Sequence, residues 1–283
     1  RPAGGRRRID GVPAAAPMSA RSLPRAISKA RVLVAYRSAA LASPREALRY
    51  LAHDRETTNF TYDIRNRDDL AAFLASRFQR PFEQTRALIT EADQDRDLAR
   101  RLESRLRTRR DRNDRAFFGR RLGWYATVRI LRPALVVETG VHDGLGSALL
   151  SRALERNEHD GFPGRLLGFD LDPASGWLLD DELATRFDLV VGDVRTTLPQ
   201  TLAEREVGVF IHDSAHTYTH ERFELDVVAR HAARGAALLS DNAHASTALA
   251  DFARERGLDY GFFAELPRNH FYPGAGIGLV LLR

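Results

Sequence analysis

The sequence predicts an α/β fold, in which a mostly parallel seven-stranded sheet ends in an antiparallel hairpin and follows a helical N-terminal region. Two observations predict it. From residue 134 to the end of the 283-residue chain, short apolar runs alternate with helical segments. These runs are nearly continuous in Val, Ile and Leu, as strands covered by helices on both faces require. In residues 20–133, by contrast, apolar side chains recur mainly at helical spacing.

Each of the seven strands is predicted from an apolar run bounded by polar or glycine residues. The first five runs are separated by helical segments and form a βα series, and the last two form the closing hairpin. The strands are predicted at 134–139, 165–172, 187–193, 207–213, 236–242, 260–266 and 277–283, and the helices at 145–158, 175–184, 197–205, 217–233 and 246–256.

The helical N-terminal region is predicted over residues 20–114, and the α/β domain over residues 115–283. In "SPREALRYLAHD", Ser43 is a helix cap and Pro44 stands at the first helical position. We expect this region to cover the substrate as a lid, to mediate oligomerisation, or to do both. The aromatic stretch at 54–64 is either part of such a lid or an ordinary loop.

Residues 1–19 are predicted to be a tail, either disordered or vector-derived, and they lack the apolar stretch of a secretory signal. No apolar run in the chain approaches the roughly 20 residues that a membrane span needs. The chain has no cysteine, which excludes disulfides and thiolate metal sites and is compatible with a reducing cytoplasm. We therefore expect a cytoplasmic protein that does not associate with membranes.

Charge is unevenly distributed along the chain, whose formal net charge is +5. Residues 1–122 hold 28 Lys and Arg against 15 Asp and Glu, a net charge of +13, whereas residues 123–283 hold 15 against 23, a net charge of −8. Lys29 is the only lysine, so arginine carries nearly all the positive charge. A basic segment attached to an acidic domain is unlike a uniformly basic nucleic-acid-binding protein.

A glycine-containing turn, "VVETGVHDGLGS", follows the first predicted strand. It differs from the dinucleotide fingerprint G-x-G-x-x-G, because Val141 and His142 follow its first glycine and make the turn less suited to a diphosphate. Taken alone, the motif is equally consistent with a cofactor-binding loop and with a simple corner between a strand and a helix.

Acidic residues end the following strands in order. Asp170 and Asp172 end the second strand, and Asp193 ends the third. Ligands of open α/β sheets bind outside the carboxyl ends of the strands. There, one acid can accept both hydroxyls of a ribose and another can address the edge of an adenine. Beside the glycine turn, these acids indicate a cofactor that contains a nucleoside.

With these motifs, residues 115–283 resemble the class I S-adenosylmethionine-dependent methyltransferases, whose fold is Rossmann-like. The resemblance rests on "VVETGVHDGLGS", "GFDLD", "VVGDV" and the terminal hairpin. It implies that the ribose of S-adenosylmethionine binds Asp170, that the adenine amino group binds Asp193, and that the methionine part lies along the first strand and its turn. The residues implied for that last part are Glu138, Gly140, Gly144 and Ser147.

Three oxygen-bearing side chains, Asp213, Asp241 and Asn242, end the fourth and fifth strands. Neighbouring strands would bring them together, and hard oxygen ligands suit Mg²⁺ better than zinc or copper. The spacing resembles that of metal-dependent O-methyltransferases, both the catechol type and the macrocin and mycinamicin type that methylates antibiotic sugars. The stretch "FIHDSAHTY" is closer to the antibiotic-sugar group, and this implies that His216, three residues after Asp213, is the general base.

The sequence therefore predicts a Mg²⁺-dependent O-methyltransferase that acts on a hydroxyl of a sugar or of a glycosylated natural product, as in antibiotic biosynthesis. An alkyl hydroxyl is too weakly acidic to ionise unaided. Mg²⁺ bound to that oxygen would lower its pKa, and His216, with Asp213 beside it, would accept the proton. We expect a small-molecule acceptor and a homo-oligomer.

Three alternatives stay open at this point. The arginine-rich N-terminal helices allow an RNA methyltransferase, although the net charge of −8 on the catalytic half would repel phosphates. A protein similar to the cephalosporin hydroxylases would share the same framework. A transition metal held by imidazoles is also conceivable, because four histidines cluster near the predicted site. They are His212, His216, His220 and His244.

Overall fold

The computed structural model describes residues 8–10, 25–53, 55–56, 60–109 and 112–283. Its α-helices are α1 (Arg25–Ala35), α2 (Arg37–Ala42), α3 (Pro44–Ala52), α4 (Arg67–Phe78), α5 (Phe82–Asp93), α6 (Arg96–Leu106), α7 (Leu122–Leu131), α8 (Leu145–His159), α9 (Val194–Leu202), α10 (Tyr218–Ala229) and α11 (Ala248–Glu255). Its strands are β1 (Arg8–Asp10), β2 (Asp63–Ile64), β3 (Leu135–Thr139), β4 (Arg165–Asp170), β5 (Phe187–Val191), β6 (Val207–His212), β7 (Ala232–Asp241), β8 (Tyr260–Ala264), β9 (Pro267–Arg268) and β10 (Gly276–Leu281). Short 3₁₀ helices lie at Gly119–Arg121 and Leu183–Arg186.

The main sheet has the strand order β1-β5-β4-β3-β6-β7-β10-β8. Strands β3 to β7 pair in parallel, whereas β10 is antiparallel to both β7 and β8. The seven predicted strands are therefore present, and the mostly parallel sheet with a C-terminal hairpin is confirmed. The chain builds β4 and β5 on one side of β3 and then crosses to β6 and β7, so the topological switch point lies between β3 and β6.

The central strands are apolar because helices cover both faces of the sheet. All five residues of β3 are buried, and its three apolar side chains alternate between two cores. Val136 packs in the core that contains Trp124 of α7, whereas Val137 packs in the core that contains Phe210 and Leu225.

Helices α4, α5 and α6 share a core with one face of the sheet. Leu74 of α4, Ile89 of α5 and Leu102 of α6 are at most 1% exposed and belong to the same apolar cluster as Trp124. This part of the N-terminal region is thus packed on the sheet, while the predicted boundary between residues 114 and 115 stays a prediction.

Helices α1 to α3 pack instead on the loop between β9 and β10. The rings of Tyr50 in α3 and Phe271 in that loop have centroids 4.8 Å apart, and Phe60 lies 5.7 Å from Phe271. Strand β2 pairs with β9 and fixes residues 60–64 against the same loop. Helices α1 to α3, residues 60–64 and the loop between β9 and β10 therefore pack together, and Tyr36, Phe60, Tyr62 and Tyr272 from these segments lie beside the carboxyl ends of the central strands.

The helix predicted at 175–184 is wrong. This segment consists mainly of turns, followed by the 3₁₀ helix Leu183–Arg186. Gly176 has a φ of +75°, which a right-handed helix does not allow. Its amide donates to the carbonyl of His142 at 2.8 Å, and the amide of Leu178 donates to that of Asp143 at 3.0 Å. Two backbone donors in the first half of the segment are thus bound to the glycine turn and not to an earlier helical turn.

Most of the predicted tail lies outside the described residues, which include only 8–10 of residues 1–19. Strand β1 pairs in parallel with β5 at the edge of the main sheet. None of the helices in the described part of the chain combines the length and the apolar character that a membrane crossing needs.

Candidate active site

The glycine turn and Asp213 meet at the switch point of the sheet. The amide of Asp213, just after β6, donates to the carbonyl of Thr139 at 2.9 Å, and the amide of Gly140 donates to the carbonyl of Phe169 at 2.9 Å. Gly140 has a φ of +84°, and a β-carbon at this position would lie 2.2 Å from the carbonyl oxygen of Asp213. Only glycine allows this close approach, so the turn and the end of β6 form one wall.

Glu138 is buried directly beneath the turn. Burial raises the pKa of Glu138 to about 8, although a hydrogen bond from Ser147 and the charge of Arg121 act in the opposite direction. The hydroxyl of Ser147, itself fully buried, donates to Glu138. Of these two predicted cofactor residues, Glu138 lines a cavity, whereas Ser147 holds the Glu138 side chain in place.

The raised pKa of Glu138 predicts a pH-dependent difference in stability. A carboxyl with a pKa of about 8 in the folded state and 4.5 in the unfolded state stabilises the fold fully below pH 4.5, and this stabilisation is lost as the pH rises to 8. The slope is at most about 1.4 kcal/mol per pH unit. We expect Glu138→Gln to gain stability relative to the wild type between pH 5 and pH 8, measured by urea unfolding. The exposed control Glu204→Gln should show no such trend, and parallel wild-type and Glu138→Gln profiles would contradict the assignment.

Asp170 and Asp193 lie at the carboxyl ends of β4 and β5, as predicted. One oxygen of Asp170 accepts from the amide of His142 at 2.7 Å and the other from the amide of Asp172 at 3.0 Å. Asp193 is exposed and caps α9, since its side chain accepts from the amide of Arg195 at 2.9 Å. Asp170 thus fixes the glycine turn, and Asp193 explains why α9 begins three residues before its predicted start.

Arg120, in the 3₁₀ helix before α7, lies between Asp241 and Glu265. Its Nε donates to Asp241 Oδ1 at 2.6 Å and its Nη2 donates to Asp241 Oδ2. Its Nη1 donates to Glu265 Oε1 at 3.0 Å, and Nη2 also reaches Asn242 Oδ1 at 3.0 Å. The Asp241 side chain is fully buried, and both of its carboxylate oxygens are bound by this one guanidinium.

Asp213 and Asp241 lie at the carboxyl ends of neighbouring parallel strands. Burial and the charge of Asp241 raise the pKa of Asp213 well above its ordinary value, although Arg121, 3.5 Å away, acts in the opposite direction. Burial also tends to raise the pKa of Asp241, but the charge and hydrogen bonds of Arg120 outweigh it and lower that pKa. The two neighbouring carboxyl groups therefore have pKa values shifted in opposite directions.

His216 lies beside this pair. Its Nε2 is 3.7 Å from Asp213 Oδ1 and accepts a hydrogen bond from Asn242 Nδ2 at 2.9 Å. Burial lowers the pKa of His216 to about 4, so the imidazole is neutral at neutral pH. The bond from Asn242 assigns the remaining proton to Nδ1 and leaves the Nε2 lone pair as the basic site.

The other histidines do not form a metal site with His216. His212 and His220 both bind the buried carboxylate of Glu224, at 2.6 and 2.9 Å. Burial tends to raise the pKa of Glu224, but these bonds outweigh it and lower the pKa to about 2. His244 is exposed. Among the described residues, the group with metal-ligand spacing is Asp213, His216 and Asp241, whose ligand atoms lie within 4.8 Å of one another, so imidazoles alone do not build a site.

A cavity of about 360 Å³ joins these elements. Glu138, the glycine turn, Asp213 and His216 line it, together with four aromatic side chains from the N-terminal region and the hairpin loop, namely Tyr36, Phe60, Tyr62 and Tyr272. The ring of Tyr272 lies 5.1 to 5.8 Å from the other three. Predicted residues Asp170, Asp193 and Gly144 do not line this cavity, so a bound nucleoside would lie outside it.

Arg120, Arg121 and Glu265 were missed by the sequence prediction. The two arginines lie in "FFGRRLGW", in a chain where arginine is so frequent that neither one is distinctive. Glu265 lies in the hairpin, about 145 residues further on, where it accepts from Tyr62 Oη at 2.5 Å and from the amide of Ala275 at 2.7 Å. Only the fold brings these charges to the strand ends. The aromatic stretch at 54–64 was a usable signal, since Phe60 and Tyr62 line the cavity.

A known family model matches part of the chain. Residues 137–243, less than half of the chain, match the family model described as "Methyltransferase domain". All the site residues predicted from the sequence lie within this segment. A search of curated protein sequences gave no significant match.

Several solved structures are similar in fold. The O-methyltransferase from Bacillus cereus in complex with SAH is 13% identical over 56% of this chain and 78% of that chain, with a TM-score of 0.46. Cofactor-bound Rv0187 from MTB is 19% identical over 77% and 98%, with a TM-score of 0.48. TomG from Streptomyces achromogenes, an O-methyltransferase involved in tomaymycin synthesis, is 14% identical over 78% and 91%, with a TM-score of 0.44.

Because these TM-scores lie below 0.5, the assignment of this chain rests on its own topology and on the family match. The strand order and the turn at the switch point are those of a Rossmann-like α/β domain, and residues 137–243 of this domain match the methyltransferase model. At the level of the fold and of this match, the resemblance stated from the sequence is confirmed.

Proposed function

We propose that this protein transfers the methyl group of S-adenosylmethionine to a hydroxyl of a small acceptor. In this reaction the bond between sulfur and the methyl carbon breaks, a bond between oxygen and carbon forms, and the hydroxyl proton passes to a base. The observation that carries the proposal is the cavity that has both the glycine turn and His216 in its wall. A methyl donor bound at the turn and a proton acceptor at His216 would share this one small volume.

The charges at the turn suit the amino-acid end of S-adenosylmethionine. Glu138 and Arg121 both line the cavity, and the Nε of Arg121 is buried without a partner among the described residues. We assign the α-ammonium group of the cofactor to Glu138 and its α-carboxylate to Arg121. Binding of the ammonium would draw the proton from Glu138, because an adjacent cation favours the ionised form of a carboxyl.

The ribose and adenine would lie over the ends of β4 and β5, at Asp170 and Asp193. Both carboxylates already accept backbone amides, but each carboxylate has about four lone-pair positions. Asp170 can therefore hold the glycine turn and still accept the hydroxyls of a ribose. The same holds for Asp193, which is exposed and free to accept from the adenine amino group.

We assign removal of the hydroxyl proton to the imidazole of His216. The carboxyl group of Asp213 lies beside it. The imidazole is neutral, and its Nε2 lone pair is held by one weak donor, the side-chain amide of Asn242. An acceptor hydroxyl that replaces this donor at Nε2 would be positioned for proton transfer. Asp213, 3.7 Å away, is placed to stabilise the imidazolium that forms.

The aromatic wall of the cavity supports an acceptor with a ring. The rings of Tyr36, Phe60, Tyr62 and Tyr272 offer apolar faces, which bury flat or weakly polar surfaces. The C–H face of a sugar is such a surface, and its hydroxyls would reach the polar side of the cavity. We therefore retain the sugar or glycosylated natural product as the proposed acceptor class.

The predicted ligands do not fit Mg²⁺ in this arrangement. Asp213, Asp241 and Asn242 are hard oxygen ligands of the kind that Mg²⁺ prefers. Arg120, however, already binds both oxygens of Asp241 and the oxygen of Asn242. The ion would have to displace a guanidinium, so no step of the proposed reaction uses a metal. Mg²⁺ dependence stays a prediction from the sequence.

We prefer a small molecule over RNA as the acceptor, because several arginines of the basic N-terminal region face the domain. Arg101 binds Asp180 through two bonds of 2.6 Å, Arg105 donates to the carbonyl of Trp177, and Arg112 pairs with Asp143 at 3.1 Å. Their charge is used inside the protein and is less available to phosphates.

Self-association and a cytoplasmic location remain part of the proposal. Helices α1 to α3 expose several apolar side chains, namely Ile27, Val34, Leu41, Leu48 and Leu51. A second copy of the chain would bury this surface. Sedimentation velocity of the whole protein tests this, and a single monomeric species across the accessible concentrations would remove the oligomer from the proposal.

The reaction itself is tested with methyl-labelled S-adenosylmethionine and a panel of hydroxyl acceptors that includes nucleotide sugars, glycosylated macrolides, catechols and RNA. We expect label in a sugar-containing acceptor and not in RNA, with the same rate in EDTA as in added Mg²⁺. Label in RNA alone would overturn the acceptor class. Activity abolished by EDTA and restored by Mg²⁺ would restore the metal prediction.

A further inference from the structure

We propose that the guanidinium of Arg120 occupies the site predicted from the sequence for a divalent cation, so that Asp213, Asp241 and Asn242 do not bind one. The positive charge at the strand ends would then be a permanent part of the chain. The inference deepens the proposed function, on which it rests for the role of this cation in the reaction.

Arg120 binds the side-chain oxygens of Asp241 and Asn242 that a metal ion would use. Four hydrogen bonds join it to the carboxylate of Asp241, to Asn242 Oδ1 and to Glu265 Oε1. A fork of two bonds from one guanidinium matches the geometry of one carboxylate. A metal bound by Asp241 and Asn242 would need the same oxygens, and the two cations exclude each other.

Arg120 is also fixed from the side away from Asp241. Glu265, 2% exposed, accepts Arg120 Nη1, the hydroxyl of Tyr62 and the amide of Ala275. Rotation of Arg120 out of the site would leave the carboxyl groups of Asp241 and Glu265 buried without their cation. Buried charges that lose a partner are strongly unfavourable, so the fold opposes this movement.

The chain itself supplies the positive charge of the cluster. Two arginines, Arg120 and Arg121, face three carboxyl groups, Asp213, Asp241 and Glu265. The two guanidinium groups offset the charge of two of these carboxyl groups. An added ion of charge +2 would lie a few ångströms from both guanidinium groups and would be repelled by them.

In the proposed reaction Arg120 would stabilise the acceptor oxygen as negative charge develops on it. Four of the five N–H groups of a guanidinium are used, which leaves one Nη1 hydrogen available to a ligand in the cavity that Arg120 lines. A preorganised donor of this kind stabilises developing charge without reorganisation. It cannot remove a proton, which is consistent with the assignment of that step to His216.

The first test is Mn²⁺ binding to the wild-type protein, measured by the loss of the free-ion signal in electron paramagnetic resonance. We expect no binding below 1 mM Mn²⁺ (about the upper end of the usual range for weak sites). Binding that Asp241→Asn weakens at least tenfold would overturn the proposal. If Asp241→Asn leaves the Mn²⁺ affinity unchanged, the ion binds elsewhere on the protein, and the proposal is supported. This test needs neither cofactor nor acceptor, so its failure is distinct from failure of the proposed methyl transfer.

The second test is a gain of metal binding. In Arg120→Ala the oxygens of Asp241 and Asn242 lose their cation, and we expect Mn²⁺ to bind at least tenfold more tightly than to the wild type and to raise the Tm of the variant. Arg120→Lys keeps the charge and should not gain this binding, and adding Asp241→Asn to Arg120→Ala should abolish it. A folded Arg120→Ala that gains no Mn²⁺ affinity would contradict the idea that Arg120 fills a cation site. If Arg120→Ala does not fold, the wild-type titration still decides.

Discussion

His216→Ala should lower kcat by about 10²- to 10⁴-fold, the usual contribution of a positioned general base, while the affinity for S-adenosylmethionine changes little. The neutral imidazole, with its pKa lowered by burial to about 4, supplies the Nε2 lone pair that accepts the proton. The residue binds Asn242 and lies near Asp213, and the proposed methionine site at Glu138 and Arg121 is separate. Initial rates and calorimetric titration of the cofactor measure the two quantities on the same preparation.

His159→Ala, an exposed histidine at the end of α8, is the matched control for this variant and should retain the wild-type rate. If His216→Ala also retains it, His216 is not the base. In that case Asp213→Asn separates the remaining possibility, because loss of the rate in that variant would assign proton transfer to the carboxyl pair. Equal losses of kcat and of cofactor affinity in His216→Ala would show a structural defect and not a chemical one.

Arg120→Met should lower the free energy of unfolding at pH 7 by about 3–5 kcal/mol, the usual cost of removing one partner of a buried ion pair. The fully buried carboxyl of Asp241 and the nearly buried Glu265 would lose the cation that both of them contact. Without that cation the pKa of Asp241 would rise. The difference in stability between the wild type and the variant should therefore become smaller as the pH falls toward 4. Urea unfolding from pH 4 to pH 8 measures both effects.

Arg101→Met is the matched control, since Arg101 makes the same two-bond fork with Asp180 but both side chains are partly exposed. Surface pairs contribute about 1 kcal/mol or less, so this loss should be much smaller. Equal losses for the two variants would show that burial of the Arg120 fork is not what stabilises the strand ends. A loss that does not depend on pH would indicate damaged packing and not an unpaired carboxylate.

The sequence predicted the sheet well because its signals are local. Continuous apolar runs defined the seven strands, and the acids Asp170, Asp193 and Asp213 marked the carboxyl ends of three of them. The one wrong helix, at 175–184, failed for a reason that is not local. The amides of Gly176 and Leu178 bind carbonyls of the glycine turn, more than 30 residues earlier. Helical periodicity in the sequence does not indicate those bonds.

The candidate site was predicted only in part. The residues close together in sequence were predicted, and the contacts between distant segments were not. The loop after β3 and the pair Asp213 and His216 follow from spacing along one strand and its turn. The guanidinium of Arg120 comes from a segment 121 residues before Asp241, and no short-range pattern connects the two. The aromatic wall likewise requires β2 to pair with β9. A prediction of Mg²⁺ from the acids alone therefore did not take account of the cation within the chain.

The most direct measurement of the central claim is calorimetric titration of S-adenosylmethionine into the wild type, Gly140→Ala and Gly235→Ala. The φ angles of Gly140 and Gly235 are similar, +84° and +80°. A β-carbon at Gly140 would lie 2.2 Å from the carbonyl oxygen of Asp213, whereas a β-carbon at Gly235 would have nothing within 4 Å. We predict one site per chain with a Kd between about 1 μM and 1 mM for the wild type and Gly235→Ala, and at least about 100-fold weaker binding for Gly140→Ala, roughly 2.7 kcal/mol. No binding to the wild type, or unchanged binding to Gly140→Ala, would contradict the claim that this turn holds the methyl donor.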